Sequence, residues 1–154
     1  MVKTQEKLDR IARLLAEQTT LSLATTGEDG RPCIAPLFYI VDENLSLYWF
    51  SSESCTHSRN LRQRSQAAAT IYRAAQNWRE IRGVQISGEV SIITDPVVRA
   101  TITEIYCKRF KFGRVFRLAI RQSILHILKP EFFRYIDNSR GFRFKFELHR
   151  PQQE

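Results

Sequence analysis

Between Trp49 and Leu61 the chain reads WFSSESCTHSRNL, gathering five hydroxyls, a thiol, an imidazole and a guanidinium where an aromatic strand gives way to a helical pattern. Those residue types in that place suit one chemistry. Backbone N–H groups at a helix N-terminus attract an anion, small hydroxyls donate to its oxygens, and one or two cations balance its charge. Ser51 and Ser52 close the strand, Thr56 and Ser58 stand at the helix mouth, and His57 and Arg59 supply the bases. The same residues also suit a plain N-capped helix with solvated arginines, and residue types alone leave both readings open.

Other chemistries find less support. Cys33, Cys55 and Cys107 are odd in number and lack metal-ligand spacing, and the sequence sets no base with an orienting partner beside them. Neither a metal nor nucleophilic catalysis is expected, and a reduced, cytoplasmic setting is the simplest reading. No G-x-G-x-x-G and no P-loop occurs, so a nucleotide is not held in either of those ways. His126 alternates with apolar neighbours and reads as a packed histidine, His149 reads as solvated, and Trp78 reads as a cap on the core rather than a cover for a bound ring.

The elements that must position these residues follow from periodicity. Leu8, Ile11, Leu14 and Leu15 lie on one stripe, so a helix is expected over 4–17. TTLSLATT alternates, GEDG turns, RPCIAPLFYIV resumes as a strand with Pro32 and Pro36 unable to donate to a ladder, DEN turns again, and LSLYWFS forms a third strand. This is a β-meander with tight turns. A short helix over 56–64 precedes strands AAATIYRA and IRGVQISGEVSII, the second with two interior glycines. Asp95-Pro96 marks a helix start, with Val98, Ile102, Ile105 and Tyr106 as its buried face, and the helical pattern runs to about residue 121. SILHIL and FFRYID read as two strands separated by KPE, and FRFKFEL alternates again. Six or seven short strands in this order suggest a closed or partly closed antiparallel barrel with helices over its openings, mainly β with added α.

At 154 residues the chain is expected to be one domain, large enough to fold without disulfide or metal. No apolar run approaches a membrane span, and the start of the chain lacks the apolar core of a signal peptide. The net charge is +8, and from Lys108 to Arg121 there are six bases (Lys108, Arg109, Lys111, Arg114, Arg117, Arg121) and no acids. A solvated helix face, an anionic substrate or a nucleic acid would each account for that stretch.

The order of segments resembles the FMN-binding split-barrel superfamily typified by pyridoxamine 5′-phosphate oxidase, and within it a short bacterial branch. The resemblance runs from LSLATTGEDGRPCIAPLFYIVDENLSLYWFSS through THSRNL and IRGVQISGEV to FFRYIDNSRGF. It implies a split barrel holding FMN in a groove between two subunits of a homodimer. By the same resemblance, backbone around Ala35, Pro36 and Leu37 would lie along the flavin ring. Ser51 and Ser52 would take the phosphate, followed by His57 and Ser58, and Gln85 would reach the ring edge or ribityl chain; the residue types add Thr56 and Arg59 to the phosphate's partners. The family usually carries a lysine or arginine where this chain has His57, and imidazole is mostly neutral at pH 7.

The function implied is a cytoplasmic FMN-dependent oxidoreductase acting on a small substrate. Oxidation of pyridoxamine phosphate itself is not implied, because the tail FKFELHRPQQE has no tryptophan to grip that substrate. A flavin- or haem-binding protein of the same fold without turnover is the alternative. Nucleic-acid binding ranks third, since no recognised motif accompanies the basic stretch. A dimer is expected also because strand faces carrying Tyr48, Phe50 and Tyr72 would otherwise expose aromatic surface.

Overall fold

The alternation in TLSLATT becomes β1 (Thr20–Thr26), with Leu21, Leu23 and Thr25 turned inward. In a computed structural model that describes residues 3–150, this strand pairs with β2 (Pro32–Phe38) on one side and β5 (Gln66–Tyr72) on the other. The remaining strands are β3 (Ile40–Val41), β4 (Leu47–Ser51), β6 (Arg82–Ile92), β7 (Ile124–Asp137) and β8 (Lys145–His149). The order across the sheet is β2-β1-β5-β6-β7-β4-β3, antiparallel throughout, and β8 adds to β7. The chain is therefore a curled, mainly β split barrel, with helices α1 (Thr4–Glu17), α2 (Thr56–Gln63), α3 (Pro96–Phe110) and α4 (Arg114–Arg121) around it.

Two expected strand boundaries are corrected, each for a physical reason. The run 31–41 is not continuous: it breaks at Tyr39, the one residue between β2 and β3, and these are the two end strands of the sheet. Tyr39 is buried, its N–H donates to the Thr19 carbonyl at 3.1 Å, and its hydroxyl donates to the Leu15 carbonyl at 2.6 Å. Pro32 and Pro36 are tolerated because β2 ends the sheet order and so pairs on one side only.

The second correction concerns KPE, which does not separate two strands. β7 runs through it, pairing with β6 from His126 to Asp137 while β4 and β8 share its other edge, one after the other. The register slips by one residue here, with Ser87 opposite Phe132 but Gly88 opposite Pro130. Glu131 is the extra residue of a bulge, and the missing N–H of Pro130 falls where β4 has ended and β8 has not begun.

The bulge brings backbone to backbone. A Cβ on Gly88 would stand 2.1 Å from the Lys129 carbonyl oxygen. That close approach accounts for the glycine inside an otherwise regular strand.

β4 is buried on nearly every residue because both of its faces are covered. Leu47 and Trp49 point into the barrel with Leu21, Leu23, Ile71, Val84, Ile86 and Phe133, closed at one end by Ile11, Leu14 and Leu15 of α1. Tyr48 points the other way, into a second cluster with Ile40, Tyr106, Cys107, Ile120, Leu125 and Ile127. Tyr48 and Phe50 are thus not open aromatic surface as expected. Tyr48 is buried, and Phe50 meets Tyr106 edge-on at 5.1 Å; of the three aromatics only Tyr72 is exposed.

The expected face of α3 is corrected too: Tyr106 and Cys107 are buried, but Val98 and Ile105 are exposed. Nor does one helix run to 121. Lys111 adopts a left-handed conformation (φ 52°), and the Phe112 N–H closes a bond to the Cys107 carbonyl at 3.2 Å, which ends α3 before Gly113 opens α4. Among the described residues no helix is long and apolar enough to cross a membrane.

Gly88→Ala should lower stability by roughly 2–4 kcal/mol, a Tm fall of about 5–15 °C, because one backbone segment must move away from another. Gly113→Ala, whose added Cβ would meet nothing within 4 Å, should leave Tm close to wild type. Thermal unfolding followed by circular dichroism compares the two.

Candidate functional site

The hydroxyl-rich segment folds as the strand-to-helix junction expected of it, but its side chains divide into two layers. The lower layer is buried: Ser51 Oγ and His57 Nε2 stand 2.7 Å apart, and Ser58 lies beneath them in the helix. Cys55 Sγ is 3.2 Å from the same His57 nitrogen and 3.1 Å from Ser58 Oγ, and its thiol donates to the Ser52 carbonyl at 2.9 Å. Desolvation lowers the pKa of His57, so the ring is neutral near pH 7 and acts as a hydrogen-bonding strut. The upper layer is exposed, comprising Ser52, Thr56 and Arg59, with Ser52 Oγ bonded to Ser54 Oγ at 2.9 Å. Cys55 occupies the N-cap of α2, and among the described residues no side chain caps the amides of the first turn. They are left directed at whatever occupies the helix mouth.

One feature of this junction escaped the sequence reading. A base does stand beside a cysteine, since Cys55 and His57 lie on opposite sides of the point where extended backbone becomes helix. The C-x-H spacing was the available signal.

α2 packs on β1 and β2, tied by Asn60 Nδ2 donating to Thr25 Oγ1 at 3.0 Å. Between them lies an open cleft of about 590 Å³, lined on one side by Thr56 and Asn60 and on the other by Gly27, Arg31, Pro32 and Cys33. Glu28 and Asp29 stand on the same hairpin rim, and Asp29 pairs with Arg31 at 3.4 Å. The acids sit on the hairpin side, so an anion in the cleft is favoured at the α2 end. β2 leads away from the cleft as an edge strand, with Ala35 and Leu37 half-buried toward the barrel and Pro36 outward.

Gln85 does not line this cleft. Register partners place Pro36, Ser22, Thr70, Gln85, Arg134 and Glu147 in one row across the outer face of the sheet. Gln85 is three strands from Pro36, roughly 14 Å away, and its Oε1 accepts from Arg134 Nη1 at 3.3 Å. The fold therefore brings together the helix mouth and the β2 edge, and puts Gln85 on the same outer face but farther along.

The basic stretch 108–121 contributes nothing to the cleft lining. Two of its bases have structural partners. Arg109 donates to the Ala16 and Gln18 carbonyls at 2.8 and 3.0 Å, at the C-terminal end of α1, and Arg117 pairs with Glu104 at 3.5 Å. Trp78 is not a core cap: it is 46% exposed, edge-on to an exposed Phe142 at 5.5 Å. His126 is packed as expected, 1% exposed and stacked on Trp49 with 5.3 Å between centroids. Neither His126 Nδ1 nor Trp49 Nε1 has a hydrogen-bond partner among the described residues.

Comparison with known proteins agrees with this architecture. The family profile described as pyridoxamine 5′-phosphate oxidase matches residues 8–127. A UPF0306 protein of Photorhabdus laumondii is 32% identical over 141 residues, covering 89% of this chain and 92% of the relative. Among solved structures, the conserved hypothetical protein Rv2991 of Mycobacterium tuberculosis aligns with a TM-score of 0.77 at 17% identity, over 94% of this chain and 91% of that one. HutZ of Vibrio cholerae, described as a haem storage protein, aligns with a TM-score of 0.68 at 20% identity, over 80% and 89%.

Burial holds His126 neutral, its pKa lowered from 6.5 to about 4, chiefly by desolvation and then by His57. The unfolded chain takes up this proton near 6.5, so the stability is complete above that pH and is lost as pH falls toward 4. The loss should reach about 3 kcal/mol. His126→Phe, which keeps the stacked ring and removes the titrating nitrogen, should flatten the dependence of Tm on pH between 6.5 and 4. An unchanged slope would assign the acid sensitivity elsewhere.

Proposed function

The chain belongs to the pyridoxamine 5′-phosphate oxidase family, and on that premise we propose that it is an FMN-binding flavoprotein, an oxidoreductase that handles a small substrate as a homodimer. One observation carries the reading: the uncapped N-terminus of α2 and the free edge of β2 open onto one continuous cleft. A group with a dianionic end and a flat ring has partners for both. The first-turn amides of α2, the hydroxyls of Ser52 and Thr56, and the guanidinium of Arg59 would hold the phosphate. Ser51 and Ser58 would support that cradle from below through His57, whose neutral ring carries no balancing charge. Backbone around Ala35, Pro36 and Leu37 would lie beside the ring.

Bound FMN would supply two-electron chemistry, and this chain's residues would position it and restrict water. The cleft is open on its outer side, where a second copy of the chain would close it and where Gln85 lies on the adjoining sheet face. Ile34 and Tyr72 expose apolar surface on that face, which suits burial against a partner. The three free cysteines fit a reducing, cytoplasmic setting.

The second reading, a flavin- or haem-binding protein without turnover, draws on the fold shared with HutZ. The absorption spectrum of the protein purified without added cofactor separates flavin from haem. Turnover with a reductant then separates an enzyme from a carrier.

FMN should bind more tightly than riboflavin, and Arg59→Gln should weaken FMN about tenfold while leaving riboflavin unchanged. Titration by flavin fluorescence quenching measures both ligands. Equal affinity for the two would mean that α2 is only a surface helix. Light scattering at micromolar concentration should give a dimer.

A further inference from the structure

Four arginines from separate parts of the chain meet at a second cavity, at the opposite strand ends from α2. Arg10 and Arg13 come from α1, spaced with Leu14 and Glu17 so that all four share one helix face. Arg82 opens β6, Tyr135 and Asp137 close β7, and Arg140 belongs to the 3-10 turn 138–140 that follows. Together they line about 170 Å³. That is too small for a nucleotide or a drug-sized ligand and suits a single small ion.

The charges do not cancel within the cluster. Four guanidiniums face two carboxylates, Glu17 and Asp137. Asp137 is committed elsewhere: it is buried, accepts from the Ser139 N–H and hydroxyl at 3.2 and 2.6 Å, and pairs with Arg82 Nε at 3.2 Å. Arg10 pairs with Glu6 through Nη2 at 2.5 Å, yet its Nε is buried with no partner among the described residues. Arg13 and Arg140 have no ion pair among the described residues.

Tyr135 is 3% exposed and lines the same cavity. Burial and then Asp137 push the pKa of that phenol up, while Arg82, Arg10 and Arg140, which line the cavity with it, act the other way. A cluster serving only to hold the fold would have its donors satisfied. Here the buried Arg10 Nε–H has no partner among the described residues, at the wall of a cavity with excess positive charge.

We propose that this cavity binds a small tetrahedral oxyanion, held by the guanidiniums of Arg10, Arg13 and Arg140 with the Tyr135 hydroxyl donating to it. Arg82 stays with Asp137 and orients the wall. The bound ion links α1, which closes one end of the barrel, to the ends of β6 and β7, and so stabilises the folded chain by mass action.

Inorganic phosphate is the probe, with binding measured by calorimetry and thermal unfolding on the full chain. Wild type should bind phosphate and rise in Tm with its concentration. Arg59→Gln, altered at the distant α2 mouth, should retain that binding. The double variant Arg13→Gln with Arg140→Gln should bind at least about tenfold more weakly. Its Tm without phosphate should stay close to wild type, since neither arginine is ion-paired. Tyr135→Phe should also weaken phosphate, and by less. The proposal is overturned if wild type does not bind phosphate, if the double variant binds it as wild type does, or if Arg59→Gln alone abolishes binding.

Discussion

Seven strands laid side by side span about 29 Å at the usual spacing between neighbours. The two strands at the ends of that row, β2 and β3, are joined through Tyr39 alone, and two steps along a chain reach at most about 7 Å. The sheet therefore has to curl until its first and last strands nearly touch. The closure is covalent, made by the chain instead of by a ladder of hydrogen bonds, and it leaves the barrel split along that seam. Tyr39 is anchored in two directions, to the approach to β1 and to the last turn of α1, so the helix that fills the barrel end and the residue that closes the wall are held by one side chain.

Curling creates an inside and an outside that must both be managed. Where β4 meets β7, side chains on both faces are covered, and the strands there read as continuous apolar runs. Around β1, β5 and β6 only the inner face is filled, and polar groups such as Ser22, Thr70 and Gln85 alternate with it. The same curvature brings α2 against the β1–β2 hairpin, so the helix mouth and the free edge of β2 share one cleft. The proposed function depends on that adjacency, and no single residue in the junction produces it.

Much of this was readable from residue patterns. Period-two alternation located β1, β5, β6 and β8, and the WFSSESCTHSRN junction was recognisable from its residue types because a strand end followed by a polar helix start is a local feature. Proline was the main source of error. Pro130 reads as a breaker, and only the gap between β4 and β8 on the far edge of β7 makes its missing donor harmless. The break at Lys111 was hidden because a lysine, not a glycine, takes the left-handed position. The division of the junction into a buried Ser51–His57 layer and an exposed Ser52–Thr56–Arg59 layer depends on what lies beneath α2. The arginine cavity was invisible for a related reason: Arg10, Arg13, Arg82 and Arg140 are scattered along the chain, while the basic stretch that stood out, 108–121, lines neither cavity.

The pair of stacked rings inside the barrel has an optical consequence. The chain has two tryptophans, and they occupy opposite environments. Trp78 is partly in water beside a guanidinium, whereas Trp49 is sealed in the interior against an imidazole 5.3 Å away and nearly parallel. The buried indole emits at shorter wavelength than the wet one, and a neighbouring imidazole quenches far more strongly once protonated. The intrinsic emission of the protein thus contains two separable signals, one from a surface loop and one from the barrel interior, and the second responds to the charge state of His126 without any added dye.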